Sequence, residues 1–385
     1  MLNTDHAKTA SGVADYQPAW EHDYDIKLLR TVLAHTAPLV SPEDIDMLRG
    51  TLRDAPRDSL VLQVGDCVED LSEATTEAAE QKSEAIVTLG SALKHQPGGV
   101  LLLGRIAGQY AKPRSTPYET ANGETFMSFR GPIVHDSRRS SRHRAGNAHR
   151  IATCHLASQT TAHAVSTYDA TPFLSGRIWT SHEALLLDYE MPLVRELDGK
   201  RYATSAAWPW IGNRTRGFTG PHIAFAEQIT NPISVKIGPD LTPQDLVYLA
   251  RTLNPTNDPG RLTFIARYGR NRIGELAPLV RASKNEGISA RWMTDPMHGN
   301  TFTNHQGMKT RLLEDIVDEA VGFSQILRYE GVPVGGIHLE TTPGPIQECV
   351  RQQDEQIDSG KYTTGCDPRL TTPQAQYVLE RWELA

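Results

Sequence analysis

The chain has 385 residues, enough for one large domain or two medium ones, and 39% of them are hydrophobic. No apolar run reaches the ~20 residues that would span a bilayer, and the first twenty residues lack the apolar stretch of an export signal, so a cytoplasmic protein without a membrane partner is expected. A net charge of −7 argues against a general nucleic-acid binder, and four cysteines are too few for a disulfide framework, which leaves buried thiols or metal ligands.

Residues 1 to about 20 are polar and aperiodic and read as an arm. Two helices are expected next. The first covers Asp25 to His35, and the second begins at Ser41-Pro42-Glu43-Asp44, a capping box with proline at the first helical position. Together they form an N-terminal unit, residues 1–55. From residue 59 the pattern changes to short apolar runs between helical stretches: LVLQVGDC, GVLLLGRIAG, RIWTSHEALL, AAWPWIG, ISVKIGP, LTFIARYG, ISARWMTDP and GGIHLE. Continuous apolar strands with intervening helices indicate a parallel sheet covered on both faces. Eight of them point to a closed (β/α)8 barrel over residues 56–385, an α/β TIM barrel with a helical N-terminal extension in one domain overall. The third run is ambiguous, because SHEALLLDYE could equally be helical.

Residues 113–177 include HDSRRSSRHRAGNAHR and are too long for an ordinary barrel loop. This long βα insertion should hold its own helix, from about Gly146 to Ser166, and either cover the site or form an interface. Its histidines His135, His143 and His149 are expected to face solvent. Cys154 and Cys349 read as packing residues on helices. The sequence shows no internal repeat and no low-complexity tract.

In a barrel of this kind, active-site residues lie at the C-terminal ends of the strands. The segment Arg291 to Asn300 shows such an end: Pro296 stops the ladder, Gly299 lets the backbone approach a ligand, and His298 supplies an imidazole. The other ends carry Asp66-Cys67, Arg105, Trp210 followed by Arg214, Lys236, Arg267, Asp295 and Glu340. Cys67, His298, Glu340 and Asp367 make a mixed thiolate, imidazole and carboxylate set. Such a set suits a divalent transition ion with an open position, Mn, Fe, Co or Zn rather than Mg or Ca. Each has an ordinary reading as well, since a free cysteine is commonly a small buried hydrophobe and Glu340 could be a salt bridge at the barrel mouth. Their convergence on the barrel favours the metal. A second signal is basic: Arg105, Lys112, Arg114, Arg214, Lys236 and Arg267 lie at or just beyond strand ends. Six cations without matching acids imply anionic ligands, and Ser115 adds a hydroxyl donor beside Arg114. Two phosphorylated substrates are expected.

The blocks GRIAGQYAKPRS, WIGNRTRG, SVKIGP, WMTDPMHGN with HQGMKTR, GIHLE and GCDPRL resemble, in order, the signatures of type II 3-deoxy-D-arabino-heptulosonate 7-phosphate (DAHP) synthases. The resemblance runs from about residue 17 to the end of the chain. It implies a metal-dependent (β/α)8 barrel that condenses phosphoenolpyruvate with erythrose 4-phosphate, the entry step of the shikimate pathway. It implies Cys67, His298, Glu340 and Asp367 as metal ligands, with Mn or Co first and Zn or Fe as alternatives. Arg105, Lys112, Arg214, Lys236 and Arg267 would hold phosphoenolpyruvate, and Arg114 and Ser115 the aldose phosphate. Lys309 would be a further basic site residue. Lys112, a lysine among cations, is expected to have a lowered pKa and to protonate the developing alkoxide.

Three departures from the pattern bear on function. The family block reads WIGERTR where this chain has Asn213, which would be harmless if that position works through its backbone N–H but not if a carboxylate positions the attacking water. Val64 replaces a glycine and reads as packing. The chain is also short for the family, whose longer members carry extra segments that bind aromatic amino acids, so insensitivity to feedback is expected, as in members serving phenazine-type pathways. Cys366 adjoins Asp367, so a reversible Cys67–Cys366 disulfide competes with the plainer reading of two reduced thiols beside a metal. An amino- or imino-sugar phosphate acceptor and a non-catalytic regulatory partner are the alternatives in function. A homo-oligomer, dimer or larger, is expected.

Overall fold

The computed structural model describes residues 16–383 except Lys94, Ser115 and Asn122; the arm expected at the N-terminus therefore lies mostly outside the described residues. Eight parallel strands form the centre: β1 Leu60–Gly65, β2 Val100–Arg105, β3 Leu174–Ser181, β4 Trp210–Ile211, β5 Ile233–Ile237, β6 Leu262–Ala266, β7 Arg291–Thr294 and β8 Gly336–Thr342. Each pairs with its sequence neighbours, and β8 returns to pair with β1. The sheet closes between β3 and β4 through a parallel bridge from Glu183 to Trp210, with Trp210 N–H donating to the His182 carbonyl (3.1 Å). Pro209, which has no N–H to give the ladder, leaves β4 only two residues long.

Alternation inside these strands is hidden by burial on both faces. In β1, Leu60, Leu62 and Val64 point outward and pack with Ile86 and Leu89 of helix α3 (Thr76–Ser91). In β5, Ile233, Val235 and Ile237 pack outward on Leu246 and Leu249 of a second helix, Pro243–Leu253. The inward set is apolar at the N-terminal end, where Val61, Leu101, Leu103, Trp179, Ile265 and Met293 cluster. Further along, the same parity brings Gln63, Arg105, Ser181, Lys236, His338 and Glu340 into the barrel, all buried. The barrel is therefore oily at its base and polar at its mouth.

Helix α1 spans Asp23–Ala34 and α2 spans Pro42–Asp54. Ser41 caps α2 by accepting from the Asp44 N–H at 3.1 Å, but the Asp44 carboxylate pairs with Arg177 at 2.7 Å rather than completing a capping box. Leu48 and Leu52 of α2 join the inward cluster at the base, so this helix plugs the N-terminal end of the barrel. Burying each leucine contributes about 1.5–3 kcal/mol.

The ambiguous third run divides into a strand and then a single helical turn, Leu187–Glu190, followed by a hairpin of Val194–Leu197 and Lys200–Ala203. The long insertion holds a hairpin (Tyr118–Ala121 with Glu124–Met127) and helix α4, His149–Ser166. His149 is exposed and His143 half-buried, but His135 is fully buried, contrary to expectation. The cause is local: at Gly131 (φ +99°) the chain folds so closely onto the barrel that a Cβ would lie 2.0 Å from the Tyr110 carbonyl oxygen, and His135 follows it inward. Cys154 is buried on α4 as expected; Cys349 is buried too, but it lies in the segment after β8 and not on a helix. No helix among the described residues is long and apolar enough to cross a membrane.

Candidate active site

The mouth of the barrel is built from the residues that end β1, β2, β5, β7 and β8. Gly65, at the end of β1, has φ +140°, and a Cβ there would lie 2.6 Å from the Arg105 carbonyl oxygen; this close approach turns Cys67 into the mouth. Glu340 points inward from β8. His298 sits in the turn after β7, and Asp367 lies in the segment between β8 and the last helix, Thr372–Glu383. Ligand atoms of His298, Glu340 and Asp367 lie within 4.8 Å of one another, as do those of Cys67, Cys366 and Asp367. All four expected ligands are therefore brought together, with Cys67 Sγ 3.8 Å from Asp367 Oδ2. Cys366 shares the cluster as a free thiol.

Two features show that this set fits a divalent cation. Lys112 Nζ lies 2.9 Å from Cys67 Sγ, 3.1 Å from Asp367 and 3.3 Å from Glu340, so a positive charge already sits where three donors converge. His298 Nδ1 lies 2.8 Å from Asp295, which holds an N–H there, and Nε2 is aimed at Glu340 3.2 Å away. Between that nitrogen and the carboxylate a cation or a proton must lie. Burial works against charge on Glu340, but His298, Lys112, Arg311 and Arg105 outweigh it and hold the carboxyl well below its ordinary range. Burial likewise opposes charge on Asp367, and Lys112 and His298 overcome it. Burial pushes the Cys67 thiol up, so a bound cation would be needed to draw off its proton.

The basic residues depart from expectation. Lys112 is not a lysine among cations: its neighbours are acids and a thiol, and although burial opposes charge, Cys67, Glu340 and Asp367 push its pKa well above the ordinary value. The depressed lysine is Lys236, lowered by burial with help from Arg105, although Asp295 lies 2.7 Å away. Nor are the six cations without acids. Arg105 pairs with Glu340 at 3.0 Å, and Lys112 and Lys236 are paired as described. Lys309, outside that six, meets Asp367 at 3.4 Å. The barrel's acids converge on the same point as its bases, so the expected metal ligands and the expected anion-binding residues share one mouth. The Arg267 side chain alone of these has no hydrogen-bond or ion-pair partner among the described residues; its backbone N–H donates to the Ile237 carbonyl at 2.9 Å. Among the described residues, the Arg114 side chain donates only to Cys366 Sγ (3.4 Å), and that of Arg214, exposed, only to the Pro113 carbonyl (3.4 Å). Ser115 lies outside the described residues.

Asn213 accepts from Arg216 Nε at 3.2 Å, and Arg216 reaches Asp240 at 2.6 Å. Its side chain thus braces the rim of the mouth, beside Gly238 and the Arg267 backbone.

Several residues of the mouth escaped the sequence reading. Arg311, fully buried, pairs with Glu340 Oε2 at 2.9 Å and leaves Nη2 without a partner among the described residues. Glu183 carries a buried Oε1, also without such a partner, against Gly212. His338 lies between Arg105 and Lys236, and Gln63 lies beneath it. Strand parity was the available signal for Gln63, Glu183 and His338: each is two residues from an inward position. Arg311 follows a short hairpin (Thr301–Thr303 with Lys309–Arg311) and had no such signal.

The sequence pattern of the class-II DAHP synthetase family matches residues 5–176 and 163–379. The chain is 37% identical to a probable phospho-2-dehydro-3-deoxyheptonate aldolase of Pseudomonas fluorescens, covering 95% of this chain and 94% of that one. It is 36% identical to phospho-2-dehydro-3-deoxyheptonate aldolase AroG of Mycolicibacterium smegmatis (93% and 89% covered) and 33% identical to the Streptomyces coelicolor protein described as phospho-2-dehydro-3-deoxyheptonate aldolase (97% and 97%).

Proposed function

The chain belongs to the class-II DAHP synthetase family, and we propose that it condenses phosphoenolpyruvate with erythrose 4-phosphate and water to give DAHP and phosphate. The observation that carries this reading is the single mouth in which Cys67, His298, Glu340 and Asp367 meet beside Arg105, Lys112, Lys236 and Arg267. A divalent transition ion held by those four ligands would supply Lewis-acid polarisation of the acceptor's carbonyl. Arg105, Lys236, Arg267 and Arg214 bind the phosphate and carboxylate of phosphoenolpyruvate, and Arg114 with Ser115 takes the phosphate of the aldose. The methylene carbon of phosphoenolpyruvate forms the new C–C bond, water adds at C2, and phosphate leaves with cleavage of its C–O bond. Lys112, kept as an ammonium by its acidic neighbours, donates the proton that the new alkoxide takes up. Glu183 Oε1 is available to accept the proton of the adding water.

The side chain of Asn213 engages Arg216, which supports a role through the backbone there, so this departure should not impair turnover. Between β2 and α4 the chain has a hairpin and turns, with no helix among the described residues, which favours insensitivity to aromatic amino acids. An outward stripe on α1, Tyr24, Leu28 and Val32, supports a homo-oligomer. A cytoplasmic location belongs to the same reading.

The test is an acceptor panel with phosphate release from phosphoenolpyruvate as readout. Erythrose 4-phosphate should be the productive acceptor, and turnover only with an amino- or imino-sugar phosphate would refute the assignment. In the same assay Lys112→Met should lower kcat by about 10²-fold or more while the KM for phosphoenolpyruvate changes little.

A further inference from the structure

His338 is wholly buried on β8, two residues before Glu340, and its hydrogen bonds leave it one tautomer. Nε2 faces Arg105 Nη1 and, at 3.2 Å, Lys236 Nζ. Both are donors only, so Nε2 must offer a lone pair. Nδ1 lies 2.7 Å from Gln63 Oε1 and must therefore carry the proton. The chain continues: Gln63 Nε2 donates to Ser181 Oγ at 2.9 Å, and the Ser181 hydroxyl donates to the Trp208 carbonyl. A flipped Gln63 amide would require Nε2 of His338 to carry a proton against two cations, so the order of donors is fixed from both ends. A backbone carbonyl at one end and two cations at the other leave each link a single role.

Resting on the function proposed above, we propose that His338 is a positioning residue that holds Arg105 and Lys236 side by side through an uncharged acceptor, adding no negative charge to that of Glu340 and Asp295, which already pair with them, so that the two cations together meet the phosphate and carboxylate of one anionic substrate. A carboxylate at 338 would also gather the two cations but would add a further negative charge to those of Glu340 and Asp295. An aliphatic side chain would leave both charges and lose the geometry. Trp210 completes the arrangement, its ring 5.2 Å from Arg105 Cζ and 5.7 Å from Lys236 Nζ, with His338 edge-on at 5.3 Å. Gln63 and Ser181 act on the substrate only through His338.

The experiment compares His338→Gln, His338→Leu, His338→Glu and Gln63→Leu with the parent protein. The readouts are KM and kcat in phosphate release, together with calorimetric binding of phosphoenolpyruvate itself and unfolding midpoints in urea. His338→Gln can still present an oxygen near the former Nε2, so its KM should stay within a few-fold of the parent. His338→Leu should raise the KM and the dissociation constant for phosphoenolpyruvate about ten- to a hundred-fold, with a smaller loss of kcat. His338→Glu should weaken binding at least as much as leucine does, because of its charge. Gln63→Leu should move KM in the same direction by less, and it keeps the test open should the 338 variants not fold. Folded His338→Leu and Gln63→Leu proteins that bind phosphoenolpyruvate as tightly as the parent would overturn the proposal, as would His338→Glu binding more tightly than His338→Leu. Failure of the functional reading is seen separately, as a parent protein that neither binds nor consumes phosphoenolpyruvate.

Discussion

Lys112 and Lys236 lie in the same barrel mouth, yet their surroundings push them in opposite directions. Two anionic carboxylates and a thiol hold Lys112 charged, whereas Lys236 is buried beside Arg105 and its charge is disfavoured. Sequence position alone did not separate them, because what differs is the acid each meets across the barrel. Arg267 presents the opposite case, a guanidinium with no partner among the described residues. Arg267→Ala should therefore leave the unfolding free energy in urea within about 0.5 kcal/mol of the parent while raising the KM for phosphoenolpyruvate about ten-fold or more. A destabilised variant with an unchanged KM would show that Arg267 is structural. His135 offers a test by pH. Burial, with Arg144, Arg130 and Arg150 nearby, lowers its pKa to about 4, so between pH 6.5 and 4 the unfolded chain binds a proton that the folded one refuses. Stability should fall through that window as pH drops, by up to about 3 kcal/mol from this residue. Unfolding free energies from pH 4.5 to 7.5 should show a shallower slope in His135→Gln, and an unaltered slope would mean that the fold accepts the proton.

At the scale of elements, the strands were legible because each is a continuous apolar run ended by glycine, proline or charge. What those runs concealed was parity. In GGIHLE the outward Ile337 and Leu339 pack beneath helices, while Gly336, His338 and Glu340 face the interior, and only the closed barrel shows which set is which. β4 shrinks to two residues at Pro209, and the helical stretch after β3 shrinks to the single turn Leu187–Glu190. The role of α2 could not be read from its own sequence, since its apolar stripe fits any helix packed on a core. Its contacts show a plug. Leu48→Ala should cost about 2–5 kcal/mol by opening a cavity under Val61 and Leu101, with the phosphoenolpyruvate KM unchanged because the mouth lies at the other end. A loss below 1 kcal/mol would show that the base closes without this helix.

Across the whole molecule, a barrel gathers residues from positions 67 to 367 into one mouth, and its rule of strand ends made Cys67, His298 and Glu340 legible together, whereas Asp367 lies outside that rule, in the segment between β8 and the last helix. Arg311, which reaches the mouth from a hairpin, obeys no such rule and was visible only in three dimensions, while Gln63 and His338, in the barrel's middle layer, carried only the weaker signal of parity. The account makes metal binding and chemistry properties of the same four side chains, so the most direct measurement is phosphate release from phosphoenolpyruvate by chelator-treated protein. Without added metal there should be no turnover. Added Mn²⁺ or Co²⁺ should restore release that depends on erythrose 4-phosphate in the parent, and should fail to do so in folded Glu340→Gln protein. Full activity after exhaustive chelation, or equal rescue of the Glu340→Gln variant, would contradict the account.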